Sequence, residues 1–159
     1  MNNNSSKLFP RNRFILVFFI VLIISAILAG CSGNASSPKM DLDKMAPMSD
    51  MPAEVQSAPE TVQVAYQFAI AFPDALKNVP CYCGCGKVGH TSNYSCYVKE
   101  IKSSGEVIFD NHALACSICV DIAQDVLKMT TDGKSPEKIR EFIDLTYSQY
   151  GTSNMQAIQ

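Results

Sequence analysis

Residues 110–151, DNHALACSICVDIAQDVLKMTTDGKSPEKIREFIDLTYSQYG, carry the pattern of two helices in succession. Cys119, Ile122, Val126 and Met129 recur at three- and four-residue steps, the spacing that lines up side chains on one helical face. Asp110 or Asn111 can cap this helix, which is expected to span 111–131, and Gly133 can take the left-handed position after its end. Ser135 then caps a second helix, with Pro136 at its first position and Glu137 at the positive end of its dipole. Ile139, Phe142, Ile143, Thr146 and Tyr150 form its predicted inward stripe, and Gly151 ends it. The expectation is an αα-hairpin with Ile122, Val126, Ile139, Phe142 and Ile143 in one core.

Upstream, Thr61 can cap a helix to Phe72 whose apolar face is Val62, Ala65, Tyr66, Ala69 and Ile70. Pro73 interrupts it, and residues 74–78 can add a turn before Pro80. Residues 81–109 read as loop, punctuated by Gly84, Gly86, Gly89 and Gly105, with a short hairpin pairing 97–101 and 106–109. The predicted class is mostly α: a small helical domain over 61–151 with a C-terminal αα-hairpin and a cysteine-rich loop. A domain of this size has a marginal hydrophobic core, so crosslinks or a metal would help stabilise it.

The N-terminus reads as processing information. Lys7, Arg11 and Arg13 precede the apolar run 14–24, and Leu28-Ala29-Gly30-Cys31 resembles a lipobox. The expectation is a lipoprotein signal peptide over 1–30 and cleavage before Cys31, whose thiol takes diacylglycerol, with palmitate among the two or three acyl chains. Two or three chains anchor firmly to the cell membrane, facing outside the cytoplasm. An uncleaved membrane helix is the alternative, although the apolar run 14–29 is short of the ~20 residues that span a bilayer. Residues 31–60, rich in Ser, Pro, Ala and acids, read as a lipidated flexible tether. Within it, Met40, Met45, Met48 and Met51 are either a chance cluster in a linker or soft thioether ligands for Cu(I).

The net charge is −2; removing residues 1–30 removes three of the 13 basic residues and leaves ten against 15 acids, a net of −5. Such a chain has no electrostatic case for nucleic acid. No hydrolase constellation stands out: Asp121, Asp125, Glu137 and Asp144 fall where a solvated helical face would place them.

Six of the seven cysteines remain once Cys31 carries lipid: Cys81, Cys83, Cys85, Cys96, Cys116 and Cys119; the two histidines are His90 and His112. The segment 80–86, PCYCGCG, packs three thiols into five residues, too close to make good disulfide partners for one another. As thiolates they can converge on one soft cation if the backbone curls, and Gly84 and Gly86 would permit the curl. His112, Cys116 and Cys119 stand at i, i+4 and i+7, one face of a helix that includes His112. A Cys-x-x-Cys pair at a helix N-terminus also has its thiol pKa lowered by the dipole, which suits metal binding or disulfide exchange. Three readings stay open: soft-metal binding, structural zinc or three disulfides (15 connectivities), and thiol redox activity. His90 is as well explained as a loop residue as a ligand.

At 80–85 the chain resembles the PCYCGC-motif lipoproteins of Gram-positive bacteria, over roughly 61–151 together with the lipobox. That resemblance implies an anchored extracytoplasmic protein with metal binding through its thiols. Leu114-Ala115-Cys116-Ser117-Ile118-Cys119, its helix, and residues 133–139 and 147–151 are also similar to the thiol-redox subunit of the cytochrome c maturation haem lyase. By that similarity Cys116 and Cys119 would be redox partners acting on apocytochrome or another exported protein, although Ala115 replaces that family's arginine. The sequence-based expectation is a non-enzymatic, membrane-anchored protein binding Cu(I), Zn(II) or Hg(II) through Cys81, Cys83, Cys85, Cys116 and Cys119, with Cys96 and His112 next. The alternative is a thiol–disulfide oxidoreductase using Cys116 and Cys119.

Overall fold

The computed structural model describes residues 40–155, all of which belong to one compact unit. The signal segment, Cys31 and the first part of the expected tether lie outside the described residues. Among the described residues no helix is long and apolar enough to cross a membrane. The elements in chain order are α1 (Ala53–Gln56), α2 (Glu60–Ala71), α3 (Pro73–Lys77), β1 (Val98–Ile101), β2 (Val107–Phe109), α4 (Ser117–Thr131) and α5 (Pro136–Tyr147), joined in part by short 3₁₀ turns.

Helix α4 is the centre of the packing, with α2, α3 and α5 against it. It buries Cys119, Val120, Ile122, Ala123 and Val126. Facing them, α2 buries Val62, Ala65, Tyr66, Phe68 and Ala69. The predicted face of α2 therefore forms, with Phe68 added and Ile70 only half-buried, but the helix begins at Glu60 behind Pro59, so Thr61 lies within its first turn and does not cap it. The α4–α5 pair is joined as predicted: Gly133 sits at φ 73°, and Ser135 caps α5 by accepting the Lys138 N–H at 3.4 Å. β1 and β2 pair antiparallel, Val98 opposite Phe109 and Ile101 opposite Val107, with Gly105 in the turn at φ 87°.

Four expectations change. The inward stripe of α5 is Ile139, Arg140, Ile143 and Tyr147, whereas Phe142 is 40% exposed and Tyr150 57% exposed. Arg140 can occupy an inward position because its aliphatic stem packs while Asp144 accepts its Nε–H at 2.9 and 3.0 Å. Second, α4 does not begin at residue 111: His112–Leu114 is a separate 3₁₀ turn, and Cys116, with extended backbone, is the N-cap of α4. Third, residues 40–60 are not a free tether. Two 3₁₀ turns and α1 fold them back, Met51 and Val55 are buried, and Met40, Met45 and Met48 pack against the core. The Gln67 side chain fixes the segment by donating to the Ala46 carbonyl at 2.6 Å. The methionines thus serve as adaptable apolar filler. Fourth, Asp125 and Asp144 are not simply solvated: Asp125 accepts the Tyr147 hydroxyl at 2.7 Å, and Asp144 accepts the Tyr82 hydroxyl at 2.6 Å.

Candidate metal centre

Pro80 leads the chain out of α3 into the loop that carries Cys81, Cys83 and Cys85. Gly84 and Gly89, at φ 84° and 92°, give this loop its left-handed turns. Gly86, expected to share that role, does not; its missing Cβ instead leaves room for Asn154, whose Cβ would lie 3.3 Å away. Cys96 comes from a 3₁₀ turn before β1, His112 from the turn after β2, Cys116 from the N-cap of α4 and Cys119 from its first turn. The hairpin thereby returns the chain to the starting loop, and all six thiols meet at the N-terminal end of α4.

The Cys119 sulfur lies 3.2 Å from that of Cys81, 3.5 Å from Cys83 and 3.3 Å from Cys96. Cys81 and Cys83 are 3.4 Å apart, Cys85 and Cys96 3.8 Å. Each of these separations is far beyond the ~2.05 Å of a disulfide and close to the ~3.8 Å edge of a zinc–thiolate tetrahedron. All six cysteines are free thiols. His112 reaches Cys83 with Nε2 at 3.4 Å, and His90 reaches Cys96 with Nδ1 at 3.5 Å. Four groups of these donors lie within 4.8 Å of one another, and between them they include every predicted ligand and His90: Cys83, His112, Cys116 and Cys119; Cys81, Cys83 and Cys85; Cys81, Cys96 and Cys119; Cys85, His90 and His112. His112 joins Cys116 and Cys119 as expected, but through a turn of its own and not through the phase of one helix.

Burial is graded across the cluster. Cys81, Cys85, Cys96 and Cys119 are buried, while Cys83, Cys116 and the two imidazoles are partly open. Packing so many sulfurs together fixes where charge can reside. Hydrogen bonds with Cys119 and Cys96 pull the Cys81 thiol far below its usual range. The bonds to Cys81 and Cys96, then burial, push Cys119 up. Burial and the neighbouring Cys81 charge raise Cys83 and Cys85. A cation among the sulfurs would favour ionisation of the thiols that burial and their neighbours push up. At Cys119 the shift runs opposite to the lowering expected from the helix dipole, through the neighbouring thiols and burial.

The supporting shell is polar and specific. Tyr97, fully buried, donates its hydroxyl to the Cys119 carbonyl at 2.7 Å, and Asn93 donates to the same carbonyl at 3.2 Å. The Asp110 carboxylate accepts the His112 backbone N–H at 2.8 Å and lies 3.4 Å from His90 Nε2. Tyr82, between two of the cysteines, is tied to α5 through Asp144, and burial together with that carboxylate moves its hydroxyl up to about 12.

Sequence reasoning missed Asn154, since the domain was expected to end at Gly151. The strap beyond α5 crosses the cysteine loop so closely that a Cβ on Gly151 would lie 2.6 Å from the Tyr82 carbonyl oxygen. Asn154 then pairs with Cys81 in both directions, its Oδ1 accepting the Cys81 N–H at 2.7 Å and its N–H donating to the Cys81 carbonyl at 3.1 Å. Its Nδ2 donates to the His90 and Ser92 carbonyls at 3.2 and 3.3 Å. Nothing local in the sequence marks this residue. Asn154→Ala should destabilise the fold by about 1–3 kcal/mol, because it strands the Cys81 N–H and the His90 and Ser92 carbonyls while keeping the backbone bond to the Cys81 carbonyl; urea denaturation checks it.

A surface cavity of about 540 Å³ is lined by Met40, Phe72, Val79, Thr130 and Ile139 among others, and by no thiol or imidazole. The cysteine cluster is therefore a packed nest of donors and not the wall of that cavity. Comparison with curated proteins and with solved structures finds no match. The similarity to the haem lyase subunit is not confirmed. The family whose model matches residues 20–156 is described as proteins of unknown function with a PCYCGC motif. With nearly the whole chain matched, and with its hexapeptide forming the loop that presents Cys81, Cys83 and Cys85, the protein belongs to that PCYCGC-motif family.

Proposed function

We propose that this chain is a lipoprotein, anchored to the outer face of the cell membrane through Cys31, that binds a soft metal ion through its clustered thiolates. The observation that carries the metal reading is the convergence of Cys81, Cys83 and Cys119, from sequence-distant segments, with sulfurs 3.2–3.5 Å apart and unbonded. Thiolates with imidazole suit Zn(II) and Cu(I), and Hg(II) by softness. The signal-like N-terminus and the lipobox support the anchored placement.

The oxidoreductase alternative requires an accessible, low-pKa nucleophile. Cys119, the inner member of the pair, is fully buried and its thiol is pushed up, so only the partly open Cys116 could serve as the attacking thiol. The experiment that separates the two compares Cys81/Cys83/Cys85→Ser with Cys116/Cys119→Ser, measuring Zn(II) affinity and disulfide-exchange rate for each. A joint metal site loses zinc affinity in both variants. Unchanged affinity in the first variant, with exchange activity lost only in the second, would reject the metal reading in favour of redox exchange.

A further inference from the structure

We infer that the cluster is built to hold two metal ions side by side, each with three thiolates and one imidazole. The inference rests on the metal-binding reading and specifies its stoichiometry.

A tetrahedral ion such as Zn(II) uses four donors, and this nest contains eight. Cys83, His112, Cys116 and Cys119 form one complete set, all four donor atoms lying within 4.8 Å of one another. The remaining donors, Cys81, Cys85, Cys96 and His90, are not scattered leftovers. Cys96 lies 3.8 Å from Cys85 and 3.5 Å from His90 Nδ1. Cys81 is within 4.8 Å of both Cys85 and Cys96, and Cys85 is within that distance of His90. The remainder has the same composition, with five of its six donor pairs within 4.8 Å.

The two sets share a seam. Cys119 of the first touches Cys81 and Cys96 of the second at 3.2 and 3.3 Å, and Cys83 touches Cys81 at 3.4 Å. Sulfurs at such a seam can bridge, because a thiolate has lone pairs for two cations. Charge points the same way. If all six thiols ionise, two dications offset four of the six charges, whereas one offsets only two.

Asp110 contacts both histidines, one through its ring and the other through its backbone. Its Oδ2 faces His90 Nε2 at 3.4 Å, which leaves Nδ1 directed at Cys96, while its Oδ1 accepts the backbone N–H of His112 at 2.8 Å. A carboxylate on the far ring nitrogen of a ligating histidine, as at His90, is the usual outer support of a metal site. The two rings sit edge to face with centroids 5.0 Å apart, one for each set.

The test is the number of Zn(II) ions bound by the reduced full-length chain, counted by native mass spectrometry and by titration against a chromophoric chelator. Two ions at saturation are expected, falling to one in Cys85/Cys96→Ser and to one in Cys83/Cys116→Ser. Saturation of the unsubstituted chain at one ion overturns the two-ion inference and leaves the metal-binding reading standing. Binding of no zinc overturns both. Two ions retained in either variant overturns the division into these two sets.

Discussion

Saturating the reduced chain with Zn(II) should raise its thermal midpoint by roughly 15–20 °C, and a chelator should reverse the rise. The eight donors come from residues 81–119 and meet only because the hairpin and the N-terminus of α4 close on the 81–85 loop. An ion that prefers the assembled set therefore binds the folded state over the unfolded one. At a free concentration about 1,000 times the dissociation constant, that preference contributes about 4.1 kcal/mol. A domain of this size, between the small ones that shift by about 4–8 °C and the larger ones that shift by about 2–4 °C, moves by roughly 4–5 °C for each kcal/mol, which gives the stated rise. Differential scanning calorimetry with and without zinc provides the check. A midpoint that does not move would mean the sulfurs are packed as apolar core and do not act as ligands.

Cys119→Ser should weaken zinc binding by about 100-fold or more. Structural zinc sites bind with about 10–16 kcal/mol, or roughly 3 kcal/mol for each of four donors, and each 1.4 kcal/mol is tenfold. Cys119 has the most sulfur neighbours of the six, touching Cys81, Cys83 and Cys96 within 3.5 Å, so its loss opens the middle of the nest. Cys116→Ser, at the half-buried rim and in only one of the close-packed groups, should cost less. Competition titration against a calibrated chelator measures both, with far-ultraviolet circular dichroism confirming that each variant is folded. Equal losses in the two variants would contradict the central position given to Cys119.

The αα-hairpin is legible in the sequence because its signals agree. The Ser135-Pro136 start, Gly133 and the Ile122–Val126 spacing all point to the same two helices, and the structure has them. The face of α5 was misread because its apolar residues permit two phases. One runs through Ile139, Ile143 and Tyr147, the other through Phe142 and Tyr150, and only the Arg140–Asp144 pairing makes the first suitable for burial. Residues 40–56 escaped because 3₁₀ turns have no 3.6-residue period, so their methionines read as linker composition. The donors of the candidate metal centre are legible by residue type and count. Their grouping was not, since it depends on where the hairpin delivers Cys96 and His112. The His112 prediction rested on a continuous helix that the structure breaks at Cys116, yet the turn carries the imidazole to Cys83 all the same. Asn154 could not be read at all, because its role exists only once the strap from α5 lies across the loop.

X-ray absorption at the zinc edge, on the reduced and zinc-loaded chain, tests the central claim most directly because it identifies the atoms around the ion. Thiolate binding predicts a first shell dominated by sulfur at about 2.3 Å, with a minor nitrogen contribution near 2.0–2.1 Å. A shell made only of oxygen and nitrogen near 2.0–2.2 Å, with no sulfur, would contradict it.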